Sequence, residues 1–225
     1  MFDLRSIHKI NPYDGFNPDL FALDLQGWNG ENPIFKELIH KLMPELILEI
    51  GSYKGQSSVF MGRCVKEQGL STKIICVDTW LGSEDFIGLR EIDNYHKLYP
   101  SFGYPQLYYQ FLANVCKTDL QNIIIPFPQV STIACRWLKK HKILFDMIYC
   151  DGDNDYESQI CDIKSAWSIL KTGGVIFGDD YGNVNWPGIA QAVNEFVIEN
   201  NLNNFFAVFN NFWLIKKIKE DNVKK

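Results

Sequence analysis

Apolar residues return at Ile34, Phe35, Leu38, Ile39 and Leu42 of NPIFKELIHKLMP, the spacing of one helix face, and Pro44 closes the run. ELILEI then gives a short apolar stretch with no polar alternation, which predicts a buried strand. The helical pattern resumes in SSVFMGRCVKEQG and stops at Gly69; TKIICVD is a second buried strand ending in Asp78. The same alternation continues through the strand NIIIPF, the helix STIACRWLKKH with Ser131 as its predicted N-cap, and the strand LFDMIYCD. YESQICDIKSAWSILKTGG predicts a helix stopped by Gly173, GVIFGDD a strand, and GIAQAVNEFVIENN a further helix. FFAVFNNFWLIKK reads as two strands meeting at Asn210-Asn211, a residue type that tolerates a tight turn.

Strand and helix alternating in this way predict an α/β fold, a doubly wound and mainly parallel sheet covered on both faces. The hairpin adds an antiparallel pair, for roughly seven strands in one domain spanning 1–225. Two segments break the rhythm. Residues 1–44 combine an Asn-, Pro- and aromatic-rich arm with the first helix, and the arm is expected to pack on the core. Residues 81–118 hold Phe86, Tyr95, Tyr99, Phe102, Tyr104, Tyr108, Tyr109 and Phe111 and are too irregular for a plain crossover, so they are a candidate lid or acceptor wall.

A chain of 225 residues with 46% hydrophobic residues can bury one full core. Its net charge of −5 makes a broad nucleic-acid surface a poor expectation. Six cysteines contain no C-x-x-C pair and sit mostly among apolar neighbours, as free thiols do in a reducing compartment. The N-terminal MFDLRSIHKI has no signal-peptide core, and no apolar run approaches about 18 residues, so the expected protein is cytoplasmic and makes no membrane contact.

The chemistry gathers at the strand ends. Glu49, Asp78, Asp151, Asp179 and Asp180 each lie at or just past the end of a predicted strand, the edge where open parallel sheets bind ligands. Gly51 and Gly55 would let the chain turn tightly and a ligand approach the backbone, while the helix starting near Ser57 offers N–H groups. The pattern is E-x-G-x-x-x-G rather than the pyrophosphate pattern G-x-G-x-x-G, and its acid suits a ligand bearing an amine or hydroxyls.

On these residues, LEIGSYKGQSS resembles the first motif of class I S-adenosylmethionine-dependent methyltransferases, the catechol and caffeoyl-CoA O-methyltransferases above all. The resemblance implies a Rossmann-like fold and a loop that wraps the cofactor through Glu49, Gly51, Tyr53, Gly55 and Ser57. IICVDTW resembles the second motif, which implies that Asp78 holds the ribose hydroxyls; PQVST resembles the loop beside the adenine, with Ser131 in contact. IYCDGDNDYESQICDIKSAWSILKTGGVIFGDDYG is similar to the metal-dependent small-molecule branch that includes macrocin-type sugar O-methyltransferases. That similarity implies Mg²⁺, or Mn²⁺ in its place, on Asp151, Asp179 and Asp180, with Asp151 also beside the cofactor.

The implied reaction is transfer of a methyl group to a hydroxyl of a small molecule, a sugar first, then a phenol, then an amine. The metal would acidify the hydroxyl, with Asp151 and Asp179 catalytic through it. Asn154 stands where many relatives carry His, so either the metal is expected to lower the hydroxyl's pKa enough, or a carboxylate such as Asp153 or Asp155 is expected to take the proton. The rival readings are a dinucleotide-dependent oxidoreductase, disfavoured by the missing G-x-G-x-x-G, and a non-catalytic S-adenosylmethionine-binding protein. The sequence names neither the acceptor nor the number of copies; a homo-oligomer is compatible with it.

Overall fold

The computed structural model describes residues 3–83, 86 and 96–219. After the N-terminal arm come α1 (Pro33–Leu42), β1 (Leu46–Ile50), α2 (Gln56–Glu67), β2 (Lys73–Asp78), α3 (Leu107–Lys117) and β3 (Ile124–Pro128). The second half runs α4 (Ser131–Lys140), β4 (Phe145–Cys150), α5 (Tyr156–Trp167), β5 (Leu170–Gly178), α6 (Pro187–Glu199), β6 (Phe206–Phe209) and β7 (Phe212–Lys216). The seven strands form one sheet in the order β3-β2-β1-β4-β5-β7-β6. The first five in that order are parallel; β7 runs antiparallel to both β5 and β6, turning at Asn210, whose φ is 52°. This is the doubly wound, mainly parallel sheet with a C-terminal antiparallel hairpin that the alternation predicts.

Register places the chemistry. Ile50 stands opposite Val77 of β2 and Cys150 of β4, while Tyr149 stands opposite Phe177 of β5. Gly51, Asp78, Asp151 and Asp179, at or just past the ends of these strands, therefore arrive at one rim.

Successive strand residues point to opposite faces. Ile47, Ile74 and Met147 join Phe35, Val59 and Phe111 from α1, α2 and α3 in one buried cluster. Leu48, Ile75 and Ile148 join Leu138, Ile163 and Val193 from α4, α5 and α6 in another. Both faces are dry, which explains strands without polar alternation. Among the described residues no helix is long and apolar enough to cross a membrane.

Two local expectations are corrected. Ser131 is the first residue of α4 rather than its N-cap: Val130 occupies that position, and no side chain caps the helix. The helix α5 stops at Trp167, well before Gly173. Lys217 Nζ donates to the carbonyls of Trp167 (2.7 Å) and Leu170 (2.9 Å), and Gly173, at φ 90°, donates its N–H to the Lys217 carbonyl. Lys217, just past the last strand, thus takes carbonyls that a longer helix would have bonded, and the glycine pair lies inside β5 instead.

The aromatic stretch is divided: Phe111 is core, whereas Phe102, Tyr104 and Tyr109 are exposed. Leu107 and Phe111 of α3 are fully buried, with the Phe111 ring against Trp80. Within 81–118, residues 84–85 and 87–95, Tyr95 among them, lie outside the described residues; of the others, Gly82, Ser83, Phe86 and Leu107 line a cleft.

Candidate active site

The rim opens into a cleft of about 1210 Å³. One wall is the turn after β1. Gly51 and Gly55 have φ of 83° and 86°, and Tyr53 between them is also left-handed at 48°. Gly51 has a further reason to be glycine. A Cβ there would lie 1.8 Å from the Asp151 carbonyl oxygen, so the residue must be small for the chain to pass the end of β4, and it also lines the cleft. At Gly55 a Cβ would press on the Phe111 ring at 2.9 Å, and Gly55 does not line the cleft.

The acid that opens this turn faces inward. Glu49 is 0% exposed, accepts hydrogen bonds from the hydroxyls of Ser57 and Ser58, and does not line the cleft. Burial pushes its carboxyl above the ordinary range, against the pull of these hydroxyls. It orients Ser57, which does line the cleft.

Asp78 is likewise committed. Its Oδ2 accepts from the amides of Ser52 (2.9 Å) and Tyr53 (2.8 Å), and its Oδ1 from that of Trp80 (2.6 Å). Burial raises the carboxyl while these backbone amides lower it. The carboxylate therefore holds the turn in shape, and at most one lone pair, on Oδ1, remains for a hydroxyl.

The opposite wall is built differently. Asp151 accepts from the Tyr149 hydroxyl at 3.0 Å and shares a hydrogen bond with Asp179. Burial, then the Asp179 charge, pushes Asp151 well above the carboxylate range, and the two carboxyls titrate as a pair. Asp179, 5% exposed, also accepts from Asn29 Nδ2 at 3.4 Å, and burial followed by Asp180 lifts it to about 6.

Asp180 does not join this pair. Its backbone is left-handed at φ 55°, and its carboxylate takes the Asn183 amide at 2.9 Å. The expected convergence of Asp151, Asp179 and Asp180 on one ion is thus not met: among the described residues no group of three or more His, Cys, Asp or Glu side chains is arranged to hold a metal. With Asp180 turned to Asn183 and Asp151 bonded to its neighbour, the residues present do not fit the implied Mg²⁺ site.

Asp153 and Asn154 line the cleft, whereas Asp155 caps α5 by accepting from the Ser158 amide. Ser131 lines it too and donates to Asp162 Oδ1 at 2.5 Å. Several lining residues escape the sequence reading altogether. Gly27, Trp28, Asn29 and Gly30 bring the N-terminal arm over the cleft. Gly30 donates to Gln56 Oε1, and a Cβ on it would lie 2.8 Å from the Ser57 amide, so the arm covers the start of α2, whose N–H groups the sequence suggests are open. Asn183, Asn185, Trp186 and Asp162 are among the others. Only Asp162 leaves a legible signal: it interrupts the apolar stripe of α5 beside Gln159, Ile163 and Ala166, all buried. Cys161 lines the cleft and is exposed, while Cys64, Cys76, Cys135 and Cys150 are buried thiols.

Residues 48–181, more than half of the chain, match a family model described as a methyltransferase domain. Among solved structures, an O-methyltransferase from Bacillus cereus in complex with SAH is similar at a TM-score of 0.57 and 15% identity, over 95% of this chain and 90% of that one. The O-methyltransferase NovP gives 0.62 at 15% identity, over 88% and 84%. The apo structure of CalS11, described as a TDP-rhamnose 3'-O-methyltransferase of calicheamicin biosynthesis, gives 0.57 at 16% identity, over 95% and 89%. At these identities the likeness is one of fold. No curated protein matches the sequence.

Proposed function

The chain belongs to the methyltransferase-domain family and is an S-adenosylmethionine-dependent methyltransferase; from that premise we propose that it methylates a hydroxyl oxygen of a small molecule, a sugar before a phenol. The observation that carries the reading is the asymmetry of the cleft. A preorganised glycine turn faces a pair of carboxyl groups with few protein donors across about 1210 Å³, a space larger than the roughly 300–1,000 Å³ of a typical small-ligand pocket. It has room for a cofactor and an acceptor together.

The residues suit the cofactor. Ser52, Tyr53 and Ser57 offer polar groups along the turn, and Asp78 keeps one lone pair for a ribose hydroxyl. S-adenosylmethionine supplies an electrophilic methyl group. The protein must align the acceptor oxygen and receive its proton. Asp179, lifted to about 6, is a base near the neutral range, and Asp151 beside it is its proton-sharing partner. Asp153, on the same rim, is the second candidate.

The acceptor end favours a sugar on its lining. Trp28 and Trp186 offer aromatic faces to C–H edges, and Asn183, Asn185 and Asn211 offer paired donors and acceptors for hydroxyls. That CalS11 is described as acting on TDP-rhamnose points the same way.

The test is an acceptor screen with a labelled methyl donor, run with and without EDTA. Transfer to a sugar hydroxyl that persists in EDTA is the expected result. Transfer lost in EDTA and restored by Mg²⁺ would show that Asp180 turns inward to complete a metal site. Label incorporated only into amines would overturn the O-methylation reading.

A further inference from the structure

Lys54 belongs to the turn after β1, yet it does not line the cleft. It is 3% exposed, which lysine tolerates only when paired. Its ammonium donates to Asp24 Oδ2 at 2.7 Å and to Gln26 Oε1 at 3.4 Å, both on the N-terminal arm. The same ammonium lies 5.3 and 5.1 Å from the ring centroids of Tyr53 and Tyr99. The Tyr99 hydroxyl donates to the Asp24 oxygen that Lys54 holds. Burial raises the Asp24 carboxyl, but Lys54 and Tyr99 outweigh it and keep the group below its ordinary value. Removing either side of such a pair leaves a charge without its partner.

The arm depends on such anchors. Between Leu20 and Pro33 it contains no helix or strand, so contacts with the body must hold it. Asn114 of α3 accepts from the Asp24 amide at 3.0 Å. Its own amide donates to the carbonyls of Asp24 at 2.6 Å and of Lys54 at 2.7 Å. Arm and turn are thus joined twice, once through Asn114 and once through the ion pair. Past this point the arm follows the turn. The Tyr53 hydroxyl donates to Gln26 Oε1 at 3.2 Å, and the Trp28 ring packs on Tyr53 with centroids 5.7 Å apart. Gly30 then reaches Gln56, and Asn29 reaches Asp179.

The reach of the arm agrees with this. The step from Asp24 to Asn29 spans at most about 17 Å of extended chain. The end of β5 lies two places from β1 in the sheet, or roughly 10 Å at about 4.8 Å per strand. With Asp24 fixed beside the turn, the segment crosses from the turn to Asp179 with little slack. Gly27, Trp28, Asn29 and Gly30 share the lining of the cleft with Tyr53, Gln56 and Ser57, so a ligand resting on the turn is bounded by the arm.

We propose that Lys54 is a positioning residue: by clasping Asp24 it seats the arm on the turn, and the bound cofactor leaves quickly only when this buried ion pair has parted. Lys54 touches no ligand and acts through Trp28, Asn29 and Gly30, which do line the cleft. The inference rests on the reading that this cleft takes S-adenosylmethionine. The charged pair suits the task better than an apolar anchor would. It fixes Asp24 at one point, where an apolar contact could slide, and Asn29 meets Asp179 only in that register.

The experiment joins two measurements on the full chain. Hydrogen exchange, read peptide by peptide, follows the arm; a chase of labelled S-adenosylhomocysteine with excess unlabelled ligand gives its dissociation rate. Lys54→Met keeps the stem and removes the charge. It should raise exchange in residues 21–32 by about tenfold or more, while β1 and β4 stay within a few-fold. It should also speed dissociation by about 10- to 100-fold, the scale of losing one buried charge pair. Asp24→Asn should act in the same direction. The double variant should be no faster than the faster single one, because both remove the same pair. Tyr99→Phe should shift both readouts by less, and it serves in place of Lys54→Met should that variant not fold. Unchanged exchange in the arm, exchange raised equally across the sheet, or a freed arm with unchanged dissociation overturns the proposal and leaves the cofactor reading intact. Failure of the wild type to bind S-adenosylhomocysteine overturns the cofactor reading itself, and the proposal with it.

Discussion

The acids that end β1 and β2 and those that end β4 and β5 occupy equivalent places in the sheet and lead different lives. Glu49 and Asp78 are satisfied by their own neighbourhood: two serine hydroxyls for the first, three backbone amides for the second. Asp151 and Asp179 find few protein donors and press against each other, each raised above the usual carboxylate range. The difference lies in the turn that leaves the strand. The turn after β1 carries amides and hydroxyls in tight geometry, and it folds onto the nearest carboxylates. Around the ends of β4 and β5 the donors are mainly Tyr149 and Asn29, so charge is left over for a ligand. An acid at a strand end is thus a brace where the next turn is rich in donors, and a functional group where it is not.

The largest test of this contrast is on Asp179. Asp179→Asn should lower kcat by about 10²- to 10⁴-fold, the span of a general base, while S-adenosylhomocysteine affinity stays within a few-fold. Steady-state kinetics beside calorimetry check both halves, and a variant with normal turnover would remove Asp179 from the reaction. The complementary change is Glu49→Ala. It should cost about 2–4 kcal/mol of stability by leaving two buried hydroxyls without their acceptor, whereas Glu49→Gln should cost less than half of that. Urea unfolding decides; equal losses in both variants would mean that Glu49's charge, not its acceptor role, braces the turn.

Smaller effects sharpen the same line. Asp78→Ala should weaken cofactor binding by about 1–3 kcal/mol, through the turn as much as through the ribose. Unchanged affinity by calorimetry would leave Asp78 with a purely structural role. The smallest expected effect has the opposite sign. Asp162 is lifted to about 6 in the folded protein, so the folded state holds its proton more tightly than the unfolded chain does, and this group's ionisation opposes folding. The penalty grows as pH rises from about 4 to about 6 and is complete above that. Asp162→Asn should therefore stabilise the ligand-free protein by about 1–3 kcal/mol at a pH of about 7.5, with the gain vanishing below about pH 4. Thermal melts at both pH values check it.

Much of the fold was legible because burial on both faces leaves a plain mark: ELILEI and TKIICVD have no polar alternation to confuse. The misplaced end of α5 was not, since the partner that takes its carbonyls, Lys217, lies fifty residues from Trp167 in the chain. The site divides in the same way. Gly51, Tyr53, Ser57, Asp78, Asp151 and Asp179 could be picked out by their place after a strand. Which of their atoms are already bonded could not, because that depends on how a turn folds back. The orientation of Asp180 rests on one left-handed φ, and the arm's Asn29 reaches Asp179 across more than a hundred residues of sequence.

The close approach of Gly51 to the Asp151 carbonyl makes the first turn depend on backbone that is synthesised later. The turn after β1 is made early, but the backbone it leans on, and the β4 partner of its strand, emerge about a hundred residues later. Until then β1 pairs only with β2, and its other edge is open to any strand that meets it. During synthesis the first half is therefore exposed to wrong partners for the whole of that interval.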